Sequence, residues 1–169
     1  MDTRATLRQQ LIRRAEGYLE LGMPEHALEV LERVGSSPFL AHAAYLKGEA
    51  LRELNRYQEA ADQLELAAEL TPDDIHIWLA LGWCYKRTAR LPLAIEALEK
   101  ALEIEPGDAL LHYNLACYWS LARNKRRAIS YLAEALSIDA NYRDLIDSER
   151  DFDPIRDDPR FIELTSVIV

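Results

Sequence analysis

A chain of 169 residues, 49% apolar and 29% charged, is long enough for one ordinary domain or a short array of repeats and too apolar for a disordered segment. Ala, Leu and Glu dominate while glycine and proline number only 6 and 7, which favours helices over a loop-built β-protein. The net charge of −9 argues against nucleic acid or an anionic membrane surface as partner; no apolar run approaches the roughly 18 residues of a membrane span, and the charged amino-terminal stretch lacks a signal peptide's apolar segment.

Taken in chain order, the sequence repeats itself. Residues 8–40 carry Leu11, Arg14, Ala15, Tyr18, Ala27, Leu31 and Val34. Residues 41–74 carry Ala44, Lys47, Gly48, Leu51, Ala60, Leu64, Ala67 and Pro72 at matching offsets. Residues 75–108 follow with Trp78, Leu81, Gly82, Tyr85, Ala94, Leu98, Ala101 and Pro106, and residues 109–142 with His112, Leu115, Ala116, Trp119, Ala128, Leu132, Ala135 and Ala140. The period is 34 residues, the first copy being one short and ending in GSSPF, where Pro38 replaces the expected proline. Apolar residues three or four apart, broken midway by Gly22-Met23-Pro24, Leu54-Asn55-Arg56, Ala89-Arg90-Leu91-Pro92 and Ala122-Arg123-Asn124, predict two antiparallel helices of about 12 to 14 residues per copy. Gly48, Gly82 and Ala116 are expected to let each first helix approach its partner, with Ala60, Ala94 and Ala128 facing back. Pro72 and Pro106 end the second helices.

Residues 143–169 read as a terminal cap, with eight acids and four bases around a few apolar positions. Tyr142, Leu145 and Ile146 begin a short helix; Asp158-Pro159 starts another, with Phe161, Ile162 and Leu164 along one side. The final SVIV either packs on the cap or frays.

The series Trp78-x2-Leu81-Gly82-x2-Tyr85, Ala94-x3-Leu98, Ala101 and Pro106 resembles the tetratricopeptide-repeat pattern, and the four copies extend that resemblance over residues 8–142. Departures are leucine at an aromatic-favouring position (Leu31, Leu64, Leu98, Leu132), Arg14 and Lys47 at the first leucine position, and Ala140 for the proline. The resemblance implies an all-α, right-handed superhelical solenoid of antiparallel helix pairs: four repeats (8–40, 41–74, 75–108, 109–142) and a capping segment, 143–169. FDPIRDDPRF itself resembles the closing segment found after such arrays.

Chemistry-bearing patterns are sparse. His26, His42, His76 and His112 form no His-x3-His or His-Glu-x2-His arrangement, and no phosphate-binding glycine loop or nucleophile elbow occurs. Cys84 and Cys117 lie inside predicted helices without CxxC spacing, so neither a disulfide framework nor a zinc site is expected and a reducing cytoplasm is inferred. Cys84 is expected to face the partner helix and Cys117 to lie nearer the groove. The reading is of a chain with no catalytic, cofactor-binding or metal residues, hence not an enzyme. Arg123, Lys125, Arg126 and Arg127 form a basic turn, read as solvated or as a dock for an acidic partner.

A stack of helix pairs acquires a concave side lined by first helices. The resemblance places Tyr45, Glu49, Leu79, Trp83, Lys86, Arg87, Tyr113, Asn114 and Cys117 on it. Glu16, Glu20, Glu49 and Glu53 should make its first half acidic; Tyr45, Leu79, Trp83 and Tyr113 should offer apolar anchors edged by Lys86 and Arg87, while Asn114 grips peptide backbone. Positions that clamp a terminal carboxylate in some members hold Ile12, Glu16, Leu46, His76 and Ala80, which cannot do so. The expected function is a non-catalytic protein-interaction module or scaffold that binds a peptide or partner segment in this groove, without cofactor, nucleic acid or membrane. The alternative is self-assembly into homo-oligomers through the groove or the terminal stacking face.

Overall fold

A computed structural model describes residues 3–35 and 39–166; residues 1–2, 36–38 and 167–169, including the Ser-Ser-Pro of GSSPF and most of the SVIV tail, lie outside the described residues. Every α-helix and 3-10 helix follows the next without an intervening strand among these residues. They fall into two compact units, residues 1–89 and 90–169, so the division runs through the turn of the third predicted copy.

The first unit contains α1 (Thr3–Glu20), α2 (Pro24–Leu31), α3 (Leu40–Glu53), α4 (Tyr57–Leu70) and α5 (Ile75–Arg87). Helices α1 and α2 pack as one hairpin and α3 and α4 as another, while α2 meets α3 and α4 meets α5. Their buried residues are the apolar stripe of the repeat pattern: Leu11, Ala15, Ala27, Leu31, Leu51, Ala60, Leu64 and Ala67. One detail differs from expectation. The residue filling the space beside Gly48 is Leu64, not Ala60: a Cβ added to Gly48 would lie 2.5 Å from Leu64 Cγ. Glycine therefore makes room for the branched side chain that replaces the usual aromatic.

The second unit contains α6 (Leu91–Ile104), α7 (Ala109–Leu121) and α8 (Lys125–Ile138), then the cap: a 3-10 turn Ala140–Tyr142, α9 (Arg143–Ile146), a 3-10 helix Arg150–Ile155 and α10 (Pro159–Thr165). Helix α6 packs on α7 and α7 on α8; the 3-10 helix Arg150–Ile155 lies against α7, and α10 against α8. Arg156 holds the cap's backbone together. Its Nη2 donates to the carbonyls of Glu149 at 2.8 Å, Ile146 at 3.0 Å and Asp147 at 3.2 Å, and its Nε to Asp153 at 2.9 Å.

Each turn within a helix pair uses the same backbone device. Gly22, Asn55, Ala89 and Arg123 occupy equivalent positions with φ of 66°, 59°, 58° and 58°, the left-handed region. The closing bond of a Schellman turn runs from Met23 N to Tyr18 O (2.8 Å), from Arg56 N to Leu51 O (2.8 Å) and from Asn124 N to Trp119 O (2.9 Å). Only one of these four positions carries glycine, so the geometry is imposed by packing on residues that resist it. Ala89→Gly is expected to raise stability by about 0.5–1 kcal/mol, and Gly22→Ala, whose added Cβ meets nothing within 4 Å, to lower it by about 1 kcal/mol. Paired denaturant melts test this: shifts of the same sign would contradict the shared geometry.

Copies also begin alike. Asp74 Oδ1 accepts from His76 N at 2.9 Å, and Asp108 Oδ1 from Leu110 N at 2.7 Å, capping α5 and α7. Trp78 Nε1 donates to the carbonyl of Pro72 at 2.7 Å; in the next copy the ring nitrogen His112 Nε2 takes the same carbonyl, Pro106 O, at 2.9 Å. His112 thus does the tryptophan's work at the joint between copies.

Asp158 caps α10 as its sequence predicts, accepting from Arg160 N at 3.0 Å. The Arg160 side chain adds Nε and Nη2 bonds of 3.1 and 3.0 Å and holds the carboxyl at about 2, well below the usual carboxylate range. A depressed folded pKa means that the cap's stabilisation by this group is complete above the unfolded value near pH 4 and is lost as pH falls toward 2. Between pH 5 and 2.5 the wild type should lose more melting temperature than Asp158→Asn; parallel curves would remove Asp158 as a source of acid sensitivity.

Candidate functional site

The open surface in the first unit is the first-helix face formed by α1, α3 and α5. Helix α3 touches both of the others, which brings the predicted residues of copies one to three onto one side. On α5, Ile77, Leu81 and Cys84 are buried, whereas Trp83 falls on the opposite stripe and stays 42% exposed. Lys86, one turn beyond it, sets Nζ 5.8 Å from the Trp83 ring centre, a cation–π contact worth about 0.5–1 kcal/mol at an exposed site. Leu79 is half-buried one turn before.

Tyr45 is half-buried on the core of the first unit, with burial first and Glu49 and Asp74 next pushing its phenol up to about 12. It stays protonated at neutral pH, a neutral donor on an otherwise acidic face. Two of the four predicted acids are already engaged. Arg52 grips Glu49 through two bonds of 3.0 and 2.6 Å, and His42 Nε2 meets Glu16 Oε1 at 3.1 Å across α3 and α1. Glu20 and Glu53 remain exposed and carry what is left of the acidic flank. Arg87 leaves the predicted edge: its guanidinium lies 5.0 Å from the Tyr57 ring centre on α4.

The second unit corrects two expected site residues. Tyr113 is 5% exposed and Cys117 2% exposed. The reason is the cap: Phe152 meets the Tyr113 ring edge-on at 5.6 Å and Tyr142 lies 4.9 Å away, so the first-helix face of α7 is covered by the chain's own carboxyl-terminal segment. Tyr113 cannot serve as an anchor and Cys117 cannot contact a partner. Asn114 stays half-buried on the neighbouring stripe. Cys84 is fully buried, as its position in the repeat predicts.

The basic turn is exposed at Arg127, whose side chain is nonetheless engaged. Arg127 stacks 4.4 Å from the Trp119 ring centre and reaches Glu99 at 3.8 Å, beside a hollow of about 420 Å³ lined by Leu91, Ile95 and Ala122 as well. The cap that lets α8 begin with cations is Asn124, whose Oδ1 accepts from Arg127 N at 3.1 Å. Sequence reasoning passed over that asparagine and over Asp74 and Asp108, although each precedes its helix as a capping residue should.

Helix hairpins of this length, closed by left-handed turns and recurring at 34 residues, define a helix-pair repeat protein. The tetratricopeptide-repeat family model matches residues 51–116. The crystal structure of MamA superposes with a TM-score of 0.75 at 25% identity, covering 79% of each chain. YrrB, described as a TPR protein with an unusual peptide-binding site, gives a TM-score of 0.75 at 22% identity over 87% of this chain and 75% of that one. The phagocyte signaling-impaired protein of Drosophila pseudoobscura pseudoobscura is 32% identical over 109 residues, which are 64% of this chain but only 11% of that much longer protein. Residues 51–116 thus belong to the tetratricopeptide-repeat family, and the helix pairs share the fold of the solved structures named above. Among the described residues no helix is long and apolar enough to cross a membrane.

Proposed function

We propose that this chain is a non-catalytic adaptor that receives a partner segment on the first-helix face of α3 and α5. The observation that carries the reading is Trp83, a large apolar side chain left 42% exposed where the repeat pattern asks for no tryptophan. Trp83 is the central anchor, Tyr45 and Leu79 extend its apolar surface, and Lys86 at its edge selects an acidic residue in the partner. Glu20 and Glu53 favour a basic flank toward α1. In the second unit, taken by itself, half-buried Asn114 is the residue left to hydrogen-bond a partner's backbone. The two buried thiols, Cys84 and Cys117, fit a reducing, cytoplasmic setting.

A displayed library of random peptides tests this directly. Selected sequences should share an apolar or aromatic residue next to an acid, and their binding should vanish with Trp83→Ala. Selection of peptides indifferent to Trp83 would move the site elsewhere. A second copy of the chain is the competing occupant of the face, and sedimentation across the micromolar range separates the two: association that weakens with Trp83→Ala supports self-assembly in place of peptide capture.

A further inference from the structure

We propose that Cys117 of α7 and Glu149 and Asp151 of the cap form a binding site for one divalent metal ion of the zinc type, which clamps the cap to the array. Their ligand atoms, one sulfur and two carboxylate oxygens, all lie within 4.8 Å of one another. Cys117 is buried and both carboxylates are half-buried. Glu149 Oε1 accepts from Asp151 N at 3.0 Å as the cap of the 3-10 helix, which holds the two carboxylates beside the thiol. One sulfur and two carboxylate oxygens around a tetrahedral zinc are about 3.3–3.7 Å apart, given bonds of about 2.0–2.3 Å, so small side-chain rotations close the set. Sulfur with carboxylate oxygen suits zinc better than calcium or magnesium, which take oxygen alone.

An independent observation points to the same place. Tyr113, one turn before Cys117 on the same face of α7, buries its hydroxyl with no hydrogen-bond partner. A phenol hydroxyl on a residue only 5% exposed is destabilising without a partner, and a group bound in the site would supply one. The Tyr113 ring meets Phe152, the residue next to Asp151, edge-on at 5.6 Å, which puts it where the cap closes over α7. A water on the metal's fourth position would give that hydroxyl its partner. Arg156, bonded to the carbonyls of Ile146, Asp147 and Glu149 and to Asp153, fixes the backbone that carries the two acids. On binding, the Cys117 thiol releases its proton to solvent and ligates as thiolate. Cys117 and Glu149 are separated in sequence by the whole of α8, so no local spacing announces the site.

The test is titration of the full chain, stripped with chelator, with cobalt(II) and zinc(II). The expected result is a near-ultraviolet thiolate-to-cobalt band saturating at one equivalent, displaced by zinc, together with a higher melting temperature in zinc. Cys117→Ser should abolish the band and weaken zinc binding about tenfold or more, while Cys84→Ala retains both. Glu149→Gln, on a half-exposed residue, provides a folded variant if Cys117→Ser destabilises the chain, and it should weaken zinc binding while the thiolate band persists at higher cobalt. No thiolate band in the wild type, a band that survives Cys117→Ser, or a melting temperature indifferent to zinc would overturn the site.

Discussion

Trp83→Ala is expected to cost about 2 kcal/mol or more of partner binding, some thirtyfold in Kd, with a melting curve close to wild type. Both halves of that expectation come from where the side chain sits. An indole that is 42% exposed contributes little to packing when the chain is alone. Covered by a partner, it can bury much of its remaining apolar surface and keep Lys86 stacked at its edge. Isothermal titration with a library-selected peptide measures the loss, and a thermal melt checks the fold. Equal affinity with an unchanged melt would exclude Trp83 as anchor. A large drop in melting temperature would instead make it a core residue seen from its edge. Glu20→Gln should matter far less, and chiefly at low salt, because exposed charges at a rim act mainly on encounter.

Phe152→Ala should produce the largest loss of stability, about 3–5 kcal/mol. Phe152 is fully buried, edge-on to Tyr113 and 5.6 Å from Phe161, so it ties the 3-10 helix to α7 and to α10 at once. Truncation leaves a cavity that rigid aromatic neighbours fill poorly. In a repeat protein the damage should stay close to its source: amides of α7 and α8 should exchange faster while those of α1 and α2 change little. Hydrogen exchange read by mass spectrometry distinguishes this from global weakening, and uniform acceleration would contradict nearest-neighbour stability.

The helix pairs were legible because their signal is periodic. Leu31, Leu64, Leu98 and Leu132 recur in frame, and all four are fully buried. The turns were placed to within a residue or two, although Leu91 and Pro92 belong to α6, since proline fits the first turn of a helix. What the sequence concealed was nonlocal. Tyr113 and Tyr45 stand in the same repeat position and read alike, yet one is sealed beneath Phe152 while the other stays half-exposed. That difference arises from residues nearly forty positions downstream that belong to no copy. Arg87 likewise read as a groove cation because its stacking partner, Tyr57, lies thirty residues upstream on another helix.

The joint made by Pro72, Asp74 and Trp78, and remade by Pro106, Asp108 and His112, has a consequence for engineering. Both joints close through the same carbonyl and the same capping carboxylate, so the stretch from Ile75 to Asp108 is a cassette with matching ends. A tandem duplicate of it would meet, at each splice, a junction chemistry the chain already uses. Chain length then becomes an adjustable variable: an extra cassette would present a second Trp83, and a peptide carrying two properly spaced anchors would gain avidity from one protein molecule in place of two.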